Sequence, residues 1–341
     1  MPLEEYVDGR ERSYRGRKLF VVEKSLKEIE SGRIGEYVRD NRECLYLKNL
    51  TRAFPDLEHI PKQKMLFFDI ETCDLGPESP IISIAMAHMQ HQCDMSIQCL
   101  FARDYTEERA VLQYFADIIH GYDAFFTYNG KSFDVPRIQK RMIQNGLFDS
   151  KGRKLKKIFE DQGRSHHDLY LIGQEKARIL LSDARLQTIE KEGFHFRRRN
   201  DLPGEEIPRT YYEYVYGRKR MSKQVRADEQ LWQECKKQAR EVVEAHLKHS
   251  SGNAPRTEEE EKIWQQRETD YIIHLYEQNG GGFKDVYSPG PLIDKQQRTR
   301  DMARLIKHNL LDTVSLAAVL CFLLSPNKQF PCLFEEDELP F

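Results

Sequence analysis

The sequence predicts an α/β fold: a mixed sheet flanked by helices, with a helical insertion ahead of the last helix. Three observations carry this. MLFFDIE, from Met65, begins as a run that is apolar on both faces, as a strand in the middle of a sheet is. Two further apolar stretches of strand length follow at short intervals, and after them helical and strand periodicities alternate. A long apolar helix, Asp301 to Leu324, closes the pattern after a strongly charged stretch.

Taken in order, residues 1–63 read as an N-terminal extension of mixed character. It holds a short strand candidate, KLFVVEK (18–24), a polar helical stretch, and LYLKNL ahead of Pro55 and Pro61. The main domain is expected over 64–325. IISIAMAHM (81–89) and SIQCLFA (96–102) are the strands after MLFFDIE, and their short connections predict antiparallel pairing. TEERAVLQYFADIIHGY (106–122) sets Val111, Leu112, Phe115, Ile118 and Ile119 on one helical face, with Thr106 as N-cap. DAFFTYNG (123–130) is a strand ending in an Asn-Gly turn, and KSFDVPRIQKRMIQNG is a helix closed by Gly146. LQTIEKEG (186–193) is a short helix, and 201–217 is a tyrosine-rich segment punctuated by Pro and Gly. In the insertion, about 218–300, residues 228–249 and 257–278 are charged amphipathic helices joined by SSGNAPR. The stripe Leu231, Cys235, Val242, Val243 and Leu247 predicts that they pack. Residues 326–341 form an acidic tail broken by Pro326 and Pro331.

Composition narrows the function classes. A net charge of −2 means that the molecule as a whole is not a polycation drawn to nucleic acid or membrane. Any such affinity must come from local clusters: RKLKK (153–157), FHFRRR (194–199), which contains Arg198 and Arg199, and YGRKRMSKQVR (216–226). There Arg and Lys could meet phosphates while Phe194, Phe196, Tyr211, Tyr212 or Tyr214 stack on bases. The competing reading is a solvated charged face with the tyrosines in the core, and for the tyrosines it is the better one. Seven cysteines without a CxxC pair argue against zinc ribbons, iron–sulfur clusters and a disulfide framework, and fit a reducing cytoplasm. The first eighteen residues hold no apolar signal region. The longest apolar run, Val314 to Leu324, is shorter than the ~20 residues a membrane span needs, so a buried helix and no membrane are expected.

Four carboxylates carry the chemistry. Asp69 and Glu71 are two apart on a strand and leave the same face. Paired carboxylates repel and are stable mainly around a divalent cation, although a solvated surface pair is the commoner origin of D-x-E. Asp134 follows Asn129-Gly130 at a helix start, where a cap or dipole partner is the alternative. His308 and Asp312 share a helical face, where a buried hydrogen-bonded pair is the alternative. His166 and His167, beside Asp168, fit a hydrogen-bonding role better than metal ligation.

Jointly, FFDIET, YNGKSFDVP (128–136) and HNLLD (308–312) resemble the three motifs of the DEDD exonucleases, which have a ribonuclease-H-like fold. HHDL (166–169), LQTIE (186–190) and RRNDLPGEEIPRTYYEYVYG (198–217) resemble the YprB-type branch of that group. The resemblance spans roughly 65–217 and 301–324. It implies that Asp69, Glu71, Asp134 and Asp312 bind two divalent ions, Mg²⁺ or Mn²⁺, and that His308 orients or deprotonates the attacking water. It also implies hydrolysis of single-stranded DNA or RNA, 3′ to 5′. Asn129 and Lys131 lie where the substrate strand would pass. In HNLLD, histidine stands at the spacing the group's tyrosine-type members use, which leaves open how it faces the water. A structure-specific endonuclease and a non-catalytic nucleic-acid-binding module remain alternatives. QFPCLF (329–334) is similar to the short peptides that bind bacterial sliding clamps. Its spacing is imperfect, and chance similarity is a better reading than a protein partner.

Overall fold

The computed structural model describes residues 2–29, 32–74, 76, 78–90, 94–147, 159, 163–198, 200–226, 228–249, 272–273, 275–280 and 283–325. The chain forms two compact units, Met1–Arg218 with Leu292–Phe341, and Lys219–Pro291. The tail 326–341, RKLKK (153–157), SSGNAPR and most of the helix expected over 257–278 lie outside the described residues.

A mixed seven-stranded sheet organises the first unit. Its strands are β1 (Gly9–Tyr14), β2 (Arg17–Ser25), β3 (Met65–Thr72), β4 (Ile81–Met89), β5 (Met95–Phe101), β6 (Ala124–Thr127) and β7 (Ser165–Asp168). The spatial order is β1-β2-β5-β4-β3-β6-β7. Pairing is antiparallel from β1 as far as β3, and parallel from β3 through β6 to β7. The antiparallel run of β3, β4 and β5 is the one the short connections predict. Residues 1–63, set apart in the sequence as an extension, supply β1 and β2, and β2 continues the sheet from β5. The reason is visible in KLFVV: Phe20 and Val22 enter the core on one face, Leu19 and Val21 the core on the other. Such two-sided burial belongs to an interior strand. SHHD carries no strand signal of its own, and register with β6 makes it β7.

Helices cover both faces. α3 (Glu108–Ile119) and α4 (Asp134–Gln144) lie over Leu66, Phe68 and Ile70. Gly146, at φ 61, closes α4 as expected. Thr106 does not cap α3; its hydroxyl donates to Asp104. The other face is covered by α1 (Gly32–Asp40), α2 (Leu47–Ala53), α7 (Ile207–Tyr216) and α9 (Lys295–Leu324). Between them in sequence come α5 (Leu169–Leu180) and α6 (Leu186–Thr188). Pro208 does not break α7, because proline fits the first helical turn. α9 begins at Lys295, earlier than expected, because Asp294 accepts the Gln297 N–H at 3.0 Å and caps it. By length and composition α9 could cross a membrane, but 83% of its apolar window is buried inside the fold. It is the core helix.

In the second unit, β8 (Arg218–Arg226) pairs with β9 (Phe283–Leu292), so the basic segment after Tyr216 is a strand. α8 (Glu229–His249) packs Trp232, Cys235 and Ala239 against Ile272 and Tyr276.

Candidate active site

Alternation along β3 decides where its carboxylates point. Met65 and Phe67 join the core beneath α9, whereas Leu66, Phe68 and Ile70 join the core beneath α3 and α4. Asp69 and Glu71 continue the Met65–Phe67 series and so leave the sheet on the α9 side. Opposite them on β4 stand Ala85 and Ser83, whose small side chains let α9 approach. Ser83 Oγ donates to Asn309 Oδ1 at 2.8 Å, and Asn309 Nδ2 donates to Asp69 Oδ2 at 2.8 Å. Asn309 thereby ties the helix to the sheet at the level of the carboxylates.

With that register, α9 presents its next polar residues to Glu71. His308 Nε2 lies 3.7 Å from Glu71 Oε1 and 3.2 Å from Asp312 Oδ2. One ligand atom from each of these three residues lies within 4.8 Å of the others, the spacing a single metal ion needs. Asp134, the first residue of α4, accepts the Ile70 N–H at 3.1 Å, which draws its carboxylate to β3. Four carboxylates and a histidine from β3, α4 and α9 therefore gather around the C-terminal half of β3.

Their electrostatics is that of a site short of positive charge. Burial, then the carboxylates of Asp134, Asp312 and Glu71, push Asp69 well above the usual carboxylate range. Burial raises Glu71 to about 8, against partial relief from His308. Burial raises Asp134 to about 7, although the Ile70 N–H holds it down in part. Burial alone would lower His308, but Asp312, Asp201 and Glu71 outweigh it and raise the imidazole to about 9. A divalent cation fits such a donor set: the oxygens are preassembled, and their mutual repulsion is what the cation would relieve.

The loop before α4 is held by an acid the sequence assigned no role. Asp168 accepts the backbone N–H of Asn129 at 2.8 Å, of Lys131 at 3.0 Å and of Tyr170 at 3.1 Å. This keeps Asn129 in a left-handed turn at φ 60, and Gly130 follows where a Cβ would run into the Thr127 side chain. The side chains of Asn129 and Lys131 are exposed on this turn. Asp168→Ala is expected to cost about 2–4 kcal/mol, a helix cap plus two stranded donors. Asp168→Asn, which keeps one acceptor oxygen, should lose clearly less in calorimetry; equal losses would remove this account.

Arg198 corrects the sequence reading. Expected to meet a phosphate, it is 5% exposed and already engaged with carboxylates. Its guanidinium donates to Glu190 at 2.5 and 2.9 Å, pairs with Asp201 at 3.4 Å, and makes a short contact to Asp312 Oδ1. A phosphate would have to displace a carboxylate to reach it. Arg199 lies outside the described residues. Phe194, Phe196 and Tyr211 are core residues, 3%, 5% and 1% exposed, and not a stacking platform. His166 bonds Thr127 Oγ1 at 2.9 Å, and burial lowers it to about 4; His167 stands 3.2 Å from Asp56. Both are outside the carboxylate cluster.

Three residues beside the cluster have no site assignment in the sequence: Glu190, Asp201 and Asn309. Glu190, on the turn after α6, is 2% exposed and accepts from Arg198 and from Ser315 on α9. Asp201 lies 2.8 Å from His308 Nδ1. Asn309 carried a signal that could have found it, since it stands one turn from Asp312 on the face that meets β3.

Comparison with known proteins agrees with this geometry. The sequence model of the RNase_H superfamily matches residues 66–227. The uncharacterized protein YprB of Bacillus subtilis (strain 168) is 26% identical over 155 residues, 45% of this chain and 35% of YprB. The chain thus spans about a third of the relative's length. The matched span contains β3 with Asp69 and Glu71, Asp134, Asp168, Glu190 and Arg198, on a mixed sheet flanked by helices. Residues 66–227 are a domain of the ribonuclease H superfamily.

Proposed function

We propose that this chain is a metal-dependent exonuclease that hydrolyses the phosphodiester bonds of single-stranded DNA or RNA, from the 3′ end. The observation that carries this is the gathering of Asp69, Glu71, Asp134 and Asp312, from a strand and two helices, with one histidine around the C-terminal half of β3. Structural ion clusters neutralise themselves; this one keeps several carboxylates against one another, while Asp312 is paired with Arg198. Two divalent cations, Mg²⁺ or Mn²⁺, held by these four side chains would supply Lewis-acid activation of water and neutralise charge at the attacking and leaving oxygens.

The chain's own residues supply the rest. Asp201 and the α9 backbone aim His308 Nε2 into the carboxylate cluster. Arg198 holds Asp312 by one oxygen and leaves the other facing His308. Asn129 and Lys131, on the turn pinned by Asp168, are positioned to contact the strand. The 3′ to 5′ polarity rests on the resemblance of the three motifs to the DEDD exonucleases.

The test is digestion of single strands labelled at the 3′ or 5′ end, in DNA and RNA, with Mg²⁺, Mn²⁺ or EDTA. A ladder shortening from the 3′ end, silenced by EDTA, is expected, and circles should survive. Asp312→Ala should cost about a thousandfold or more. Cleavage of a circle would make the enzyme an endonuclease; an unchanged rate in Asp312→Ala would sink the site assignment.

A further inference from the structure

Resting on that reading, we propose that His308 is itself a metal ligand. Its Nε2, with Glu71 Oε1 and Asp312 Oδ2, forms a mixed nitrogen–oxygen site that takes Mn²⁺ in preference to Mg²⁺.

The two ring nitrogens of His308 face different partners. Nδ1 lies 2.8 Å from Asp201 Oδ1. A carboxylate only accepts, so Nδ1 carries the hydrogen. Arg198 Nη1, a donor 3.3 Å from the same nitrogen, is the longer and secondary contact. Nε2 is then left with its lone pair pointing at two more acceptors, Asp312 Oδ2 at 3.2 Å and Glu71 Oε1 at 3.7 Å. Three electron-pair donors facing one another are satisfied by an electron-pair acceptor between them. A shared proton serves when no ion is bound, and a divalent cation replaces it.

The surroundings are those of a ligating histidine. Such histidines donate their second ring N–H to a carboxylate, which fixes the ring and strengthens the nitrogen that binds. Asp201 does this here. Asp312 is held in the same way, since Arg198 engages Oδ1 and leaves Oδ2 free for the cluster. The histidine side chain is 5% exposed, so its ring cannot turn toward solvent instead. Asp69, by contrast, is met by the Asn309 amide, and Asp134 by a backbone N–H, so their part of the cluster offers oxygen alone. An imidazole nitrogen suits Mn²⁺ better than Mg²⁺, which prefers oxygen and keeps its waters.

Pulsed EPR of the full chain loaded with Mn²⁺ reads the bond directly. Nitrogen modulation from a bound imidazole is expected, and its pattern should change when only the histidines carry the heavier nitrogen isotope. That labelled measurement needs no variant to fold. His308→Gln should abolish the modulation and remove the preference for Mn²⁺ over Mg²⁺ in calorimetric titrations. Asp201→Asn should keep the modulation while weakening Mn²⁺ binding by about 10–100-fold. Mn²⁺ bound without nitrogen modulation would overturn the proposal and leave the nuclease reading standing, with His308 acting through water. Nitrogen modulation in a protein that hydrolyses no strand would support the ligand and sink the nuclease. No Mn²⁺ bound at all would overturn both.

Discussion

Asp69→Asn is expected to raise the melting temperature of the cation-free protein at pH 8 while it abolishes hydrolysis. The cluster is assembled against electrostatic repulsion. Asp69 is driven well above the usual carboxylate range by burial and three neighbouring acids, Glu71 to about 8 and Asp134 to about 7. In the unfolded chain these groups titrate near 4. Between about pH 4 and pH 8 the folded state therefore holds more protons than the unfolded one, and stability falls as pH rises through that window. His308 acts in the same direction. Its folded value of about 9 lies above the ordinary 6.5, so its contribution is complete below 6.5 and is lost as pH rises through 9. A neutral amide at position 69 removes one charge from the cluster and can still meet Asn309. Each 1 kcal/mol so relieved is worth about 2–4 °C. Melts of wild type and variant in EDTA at pH 5.5, 7 and 8.5 check the sign. The wild type should melt lower as pH rises, and the variant should gain most at pH 8.5. A variant that melts lower at every pH would mean that the carboxylates do not repel, and the cation site would lose its physical basis.

What the sequence could disclose follows from the range of each interaction. β3, α3 and α4 were legible because each buries a periodic face, and periodicity is local. Asp69, Glu71, Asp134 and Asp312 were legible because each stands at a fixed offset from such an element. Arg198 was not. Among three consecutive arginines nothing local distinguishes the one that turns inward, and the partner that decides it, Asp312, is 114 residues away. Asp201, at the start of the Pro- and Gly-punctuated segment, was not legible for the same reason; its contact depends on His308 arriving from α9. Strand β2 was recognisable as a strand, but its place in the sheet depends on β5 having a free edge, which no single segment records. β7 is the extreme case, since a four-residue SHHD strand exists only by its register with β6. The clustered carboxylates were thus readable, and the residues that aim them were not.

Those aiming residues should also be the ones whose loss is felt most in stability. Arg198→Met is expected to cost about 3–5 kcal/mol, because it leaves Glu190 and Asp312 without their cation in a buried setting. In melting temperature that is roughly 6–20 °C. The damage should fall unequally. Glu190 is 2% exposed and has little access to water, whereas Asp312 retains His308 and some access to solvent. Burial already lifts Glu190 above the usual carboxylate range despite the guanidinium, so without Arg198 it should take up a proton. Glu190→Gln supplies that neutral state in advance. Arg198→Met with Glu190→Gln should therefore be more stable than Arg198→Met alone, a coupling that additive losses would contradict. Addition of Mn²⁺ separates the two carboxylates. It should recover stability in Arg198→Met through Asp312, which faces the cluster, and leave untouched the part of the loss that Glu190→Gln repairs. If Mn²⁺ and Glu190→Gln repaired the same fraction, Arg198 would be serving one acid rather than joining a structural carboxylate to a functional one.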